Sequence, residues 1–107
     1  MHAARLNLPD RHFHTLYNLA YIEIELGEHH HAEASLNDAY SIALEQQNEL
    51  WKAMCYSSLG RCVYARGDRL ETLRLMTEAL EVYERAGNKA ASEWVRSFLR
   101  TEGFVSD

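Results

Sequence analysis

The residues that could do chemistry are few: a run of three histidines, His29-His30-His31, with His12 and His14 earlier, and two cysteines, Cys55 and Cys62. A metal centre needs ligands that converge from one side. On a helix, neighbours at i, i+1 and i+2 diverge, and His12 and His14 point about 200° apart at 3.6 residues per turn. The histidine run reads as a solvated helix start, with a metal-responsive module as the weakest of the readings carried forward. Glu23, Glu25 and Glu28 form an acidic patch of solvated carboxylates. Cys55 and Cys62 stand seven residues apart in one expected helix, so their Cα atoms are about 10.5 Å apart. A disulfide needs less than about 7 Å. Both fall on an apolar face and read as small buried hydrophobes with reduced thiols. No Ser-His-Asp order, glycine-rich phosphate loop or nucleophile elbow occurs. The expectation is a protein without catalytic residues, metal or cofactor.

The elements that would carry any site are helices. The 107 residues contain one proline and five glycines, too little punctuation for a many-stranded sheet, and Ala, Leu, Glu and Arg are abundant. A net charge of −5 argues against nucleic acid, which needs a clustered cationic face. No apolar run approaches the roughly 20 residues of a membrane span, and no signal peptide is evident. A cytoplasmic protein that touches no membrane is expected.

Five helices follow from apolar spacing and from stop and cap residues. Helix one runs from about Asp10 to Leu26, with Asn7 or Asp10 as its cap and Phe13, Leu16, Leu19, Ala20 and Ile24 as its inward stripe. Helix two, about His29 to Gln46, turns Ala32, Leu36, Ala39, Tyr40 and Ala43 inward. Asn48 caps helix three, Glu49 to Ala65, which buries Trp51, Cys55, Leu59, Cys62 and Val63. Asp68 caps helix four, Arg69 to Arg85, with Leu73, Met76, Leu80 and Tyr83 inward. Asn88 caps helix five, Lys89 to about Thr101, which carries Ala91, Trp94, Val95, Phe98 and Leu99. Gly27, Gly67 and Gly87 supply the stops.

The chain repeats itself at an offset of 40 residues. Leu19 falls on Leu59 and Leu99, Ala20 on Gly60, Gly27 on Gly67, Leu36 on Met76, and Ala39 on Ala79. The same offset lays Ala3-Ala4-Arg5 on Ala43-Leu44-Glu45, so residues 1–8 read either as the last turn of a preceding repeat or as a frayed N-terminus. Residues 10–47 are then repeat one, 48–87 repeat two, 88–102 a half repeat or capping helix, and 103–107 a tail, in one domain. Ala20, Gly60 and Ala79 are small where helices cross, so that Leu36 and Met76 can insert. Each hairpin leaves an apolar face that only its neighbour can cover.

The best-formed unit is Tyr56-x2-Leu59-Gly60-x2-Val63, then Gly67-Asp68, then Thr72-x3-Met76 and Ala79-Leu80. It resembles the tetratricopeptide motif of aromatic-x2-Leu-Gly-x2-Tyr followed by Ala-x3-Phe. The 40-residue period is similar to the long-helix variant of bacterial maltose-activator-type regulators and kinesin light chains. Glu23 stands where the family has Tyr in repeat one, and Thr72 where it has Ala in repeat two. The resemblance implies an all-α, right-handed superhelical stack of antiparallel helix hairpins. It also implies a ligand groove along the first helix of each repeat. That groove would be lined by His14, Tyr17, Asn18, Tyr21 and Glu25, by Met54, Ser57, Ser58, Arg61 and Tyr64, and by Trp94, Ser97, Phe98 and Thr101. Tyr17 replaces the lysine that chaperone-tail binders need, so an extended peptide or a partner helix is the expected ligand. The implied function is a peptide- or protein-binding module, as scaffold or as the sensory part of a larger regulator. The alternative is a self-association element, because helix five reads as not strongly polar on its outer side and both ends would expose stacking faces.

Overall fold

The computed structural model describes residues 8–105. Among them are five α-helices and no strand: α1 Leu8–Glu25, α2 His29–Glu45, α3 Glu49–Ala65, α4 Arg69–Arg85 and α5 Lys89–Thr101. Each helix packs on the next, and α1 also touches α3. The stack measures 52 × 31 × 18 Å. Its thinnest dimension is about two helix diameters, so every helix keeps one face in solvent. The reading of residues 1–7 as the end of an earlier helix lies outside the described residues.

Local chemistry sets the helix ends. Asn48, Asp68 and Asn88 each accept a hydrogen bond from the backbone N–H three residues on, at 3.0–3.1 Å. Glu28 precedes α2 without a side-chain cap bond. Gly27, Gly67, Gly87 and Gly103 all take positive φ where a helix stops. Between α2 and α3 the same left-handed position is held by Gln47, at φ 51°. A residue with a Cβ is strained there by about 1 kcal/mol. The sequence offers no signal for that stop. Asp10 is not a cap: it lies inside the first turn of α1, with its carbonyl oxygen 2.9 Å from His14 Nδ1.

The core forms three connected clusters. Ala20, Ile24, Ala32, Leu36 and Cys62 fill the crossing of α1, α2 and α3. Phe13, Ala39, Ala43 and Cys55 continue it toward the other end of those helices, where the Phe13 ring stacks on Trp51 at 4.5 Å. Ala53, Met76, Ala79, Tyr83, Val95 and Leu99 bind α3, α4 and α5 together. Burial of each large side chain contributes roughly 1.5–3 kcal/mol. Gly60 makes room for Met76 at its crossing: a Cβ there would come within 2.9 Å of Met76 Cε, so the end of the methionine would have to shift. Both cysteines are free and buried.

Several expected inward positions are corrected. Leu73 is exposed, and Thr72 and Leu75 are the buried residues of that turn of α4. Leu73 lies on the outer side of α4 beside Leu70, Arg74 and Thr77. Leu19, although it matches Leu59 in the repeat, is 45% exposed, because no described helix lies on its side of α1. The outer face of α5 is polar, against expectation. Glu93 and Arg100 are exposed, and Arg96 pairs with both Glu84 and Glu93. The stretch after α5 is not a loose tail as far as Phe104. That ring packs against Tyr64 and Phe98, and the Arg69 guanidinium lies 4.1 Å over it.

Candidate functional site

A groove of about 570 Å³ crosses α1, α3 and α5, floored by one side chain from α4. From α1 come Tyr17, Tyr21 and Glu25; from α3, Ser57, Ser58 and Arg61; from α5, Ala91, Trp94 and Phe98. The spacing explains why these residues meet. Tyr17, Tyr21 and Glu25 are i, i+4, i+8 on one helix face, and Ser57 with Arg61 and Trp94 with Phe98 are i, i+4 pairs. Each helix turns its apolar stripe to its hairpin partner and this adjoining strip to the groove.

Polar contacts hold the walls in place. Ser58 Oγ donates to the Tyr17 hydroxyl at 3.1 Å, which joins α1 to α3. Arg61 Nη2 donates to Glu25 Oε2 at 3.1 Å across the same two helices. Ser57 Oγ, which also donates to the Met54 carbonyl at 3.1 Å, lies 3.5 Å from the Tyr83 hydroxyl. Burial raises the phenols of Tyr17 and Tyr83 above their ordinary value, with the serine hydrogen bonds opposing the shift. Both therefore stay neutral hydroxyls, able to donate and to accept. On the α5 wall the Trp94 and Phe98 rings stack at 5.8 Å with an 18° tilt, and Trp94 is 45% exposed. The groove thus offers an aromatic wall, a row of neutral hydroxyls and one ion pair that spans its width.

The residues expected to line a groove divide into two groups. Tyr17, Tyr21, Glu25, Ser57, Ser58, Arg61, Trp94 and Phe98 lie together around this hollow. His14, Asn18, Met54 and Tyr64 do not line it. The exposed His14 ring lies 5.8 Å from Trp51, edge to face, and Asn18 is exposed on the face of α1 beside the groove row. Met54 packs into the Phe13–Cys55 cluster. Tyr64 donates to Glu102 and meets the Phe98 ring edge-on at 5.3 Å, so it supports the aromatic wall from beyond its end. Ser97 and Thr101 are exposed outside the hollow. Tyr83 is the lining residue that sequence reasoning assigned wholly to the core; its length, where repeat one has Ala43, lets its hydroxyl reach the floor of the groove.

The described histidines take no part in this groove. His31 Nδ1 is 3.4 Å from Glu28 Oε1 at an exposed helix start. Among the described residues, no three His, Cys, Asp or Glu side chains are grouped to hold a metal ion. A second hollow, about 580 Å³, lies at the α4–α5 turn and is lined largely by charged and polar side chains including Glu84, Lys89, Glu93 and Arg96.

Residues 11–89 match the family model for the tetratricopeptide repeat. The match spans four of the five helices and most of the chain. The chain belongs to the tetratricopeptide repeat family. No curated protein and no solved structure matches it. Tetratricopeptide repeats are in general non-catalytic protein-interaction modules, and the coarse function of this chain is protein interaction. No described helix of the domain is long and apolar enough to cross a membrane.

Proposed function

We propose that this tetratricopeptide domain binds an extended peptide, or one face of a partner helix, in the groove across α1, α3 and α5. The observation that carries this reading is the exposed Trp94–Phe98 stack facing the Tyr17 and Tyr83 hydroxyls and the Glu25–Arg61 pair across one hollow. An aromatic wall gives an apolar anchor its contact area at low entropic cost. The hydroxyls opposite can satisfy the backbone of a bound segment. With one cation already paired, the groove suits a peptide of low charge with a large apolar side chain. The setting we propose is a scaffold or the sensory part of a larger regulator in the cytoplasm.

The test is peptide selection on the wild-type chain, followed by titration of selected peptides against Trp94→Ala and Arg61→Ala. Trp94 is half exposed, so its removal should leave the thermal midpoint nearly unchanged. Binding is expected to weaken on the order of tenfold or more for Trp94→Ala, as for an aromatic anchor. Equal affinity for wild type and both variants would remove the groove from the function.

A further inference from the structure

The 40-residue repeat makes each face of α1 comparable with the same face of α3. Thr15, Leu19 and Ile22 correspond to Cys55, Leu59 and Cys62. In α3 that face is seated on α2: Cys62 packs with Ala32 and Leu36, and Cys55 with Ala39 and Ala43. In α1 the same face is open among the described residues. Leu8, Leu19, Ile22 and Leu26 are 56%, 45%, 54% and 68% exposed. Together with His12 and Thr15 they occupy positions 8, 12, 15, 19, 22 and 26, alternating steps of four and three. That 3.5-residue period is the seam of a helix pair.

The opposite end of the stack does not offer a complement. The positions where α3 meets α4 are Ala53, Tyr56 and Gly60, and their α5 counterparts are Glu93, Arg96 and Arg100. Head-to-tail stacking of copies would therefore press an apolar seam on a charged face. The seam does, however, complement itself. We infer that the α1 face pairs with the α1 face of a second copy of this chain, antiparallel about a two-fold axis near residue 17.

The register supports this pairing. Reversal about residue 17 lays Leu8 on Leu26 of the second copy, His12 on Ile22, and Thr15 on Leu19. Arg11, Asn18 and Glu25 flank the seam on its groove side at seven-residue steps. Antiparallel pairing sets Arg11 against Glu25 of the second copy, twice, with Asn18 at the centre. In a parallel pair the same residues fall on opposite sides of the seam, so Arg11 would meet Leu16 and the Arg11–Glu25 pairs would be lost. Glu25 uses Oε2 for Arg61, and its other oxygen can accept Arg11 of the second copy. The seam is roughly 27 Å long at 1.5 Å per residue. One helix face of that length falls short of the ~800 Å² per partner of a standard interface, so the dimer is weak and reversible.

Sedimentation of the 107-residue chain across the micromolar range tests the inference. The wild type is expected to pass from monomer to dimer as concentration rises. Ile22→Arg, at an exposed position, is expected to keep the wild-type melting curve and stay monomeric. Arg11→Glu and Glu25→Arg should each self-associate roughly tenfold more weakly than wild type, while their equimolar mixture recovers the dimer. Glu25→Arg also breaks the bond to Arg61, but the mixture carries that loss too, so its recovery isolates the pair between copies. A wild type monomeric throughout, which would leave the face to another occupant such as a further repeat, would overturn the inference. So would an Ile22→Arg dimer, or a mixture no stronger than its components.

Discussion

The two ends of the stack begin from the same repeat position and finish with opposite chemistry. At the α1 end, Leu19 is 45% exposed; two repeats on, at the α5 end, Leu99 is 6% exposed. The difference comes from neighbours, not from the residue. Leu99 lies under Val95, Met76 and Phe104, and its carbonyl accepts the Phe104 N–H at 2.8 Å. Leu19 faces the side of α1 on which no described helix sits. The α5 end is closed by the Phe104 ring and by ion pairs of Arg96, whereas among the described residues the α1 end presents an uncovered apolar seam. A repeat thus sets which residue types recur, and the ends of the stack decide what those residues do.

The comparison can be broken most directly with the leucines. Leu99→Ala should destabilise by about 2–4 kcal/mol, as for a buried leucine with little room to collapse. Leu59→Ala, half-buried, should cost about 1–2 kcal/mol. Leu19→Ala should stay within about 0.5 kcal/mol for the monomer. Thermal unfolding of the three variants at low concentration checks the order. Equal losses at positions 19 and 99 would show that the α1 face is covered in solution even there.

The thiols sharpen the same contrast between covered and open faces. Burial pushes Cys55 up to about 12 and Cys62 up to about 11, from an ordinary value of 9.0. A thiol whose folded pKa is raised favours the fold while protonated. That contribution is complete below pH 9.0 and is lost as pH rises through about 11 and 12. Stability should therefore fall in the alkaline range above pH 9.0, less so in Cys55→Ala measured against its own neutral-pH value. In the folded wild type both thiols should resist alkylation near pH 8, which is slow for a neutral buried thiol. A cysteine placed by Thr15→Cys, the open counterpart of Cys55, should react at the rate of a free thiol. Fast labelling of Cys55 or Cys62 in folded protein would contradict the burial of that face.

The smallest effect belongs to the charges that close α5. Arg96 is partly exposed in its pairs with Glu84 and Glu93, so Arg96→Ala should cost under about 1 kcal/mol. The loss should shrink further at high salt. A cost well above this range, measured by chemical denaturation, would mean that the polar face of α5 stabilises the end rather than merely keeping it wet.

Much of the fold was legible in the sequence because its signals are local. Asn48, Asp68 and Asn88 bond their own next turn, and Gly27, Gly67 and Gly87 supply the left-handed stop within two residues of each helix end. These fix where α3, α4 and α5 begin and where α1, α3 and α4 end, with no help from the rest of the chain. The stop at Gln47 was not marked in this way, since a glutamine rather than a glycine takes the left-handed position there. The groove was legible only in part. The family resemblance named Tyr17, Tyr21, Arg61, Trp94 and Phe98 as groove residues. It could not show that Met54 sinks into the core, that Tyr64 is held by Glu102, or that the Tyr83 hydroxyl reaches across from α4. The sequence by itself determined the helices, their crossings at Ala20 and Gly60, and the repeat that relates them, because caps, stops and side-chain volume act over a few residues. Only the tertiary structure decided which apolar positions are covered, that Glu25 bonds Arg61 across 36 residues, and that among the described residues one end is sealed while the other is open. Burial and pairing belong to neighbours far apart in the chain, and no local pattern records them.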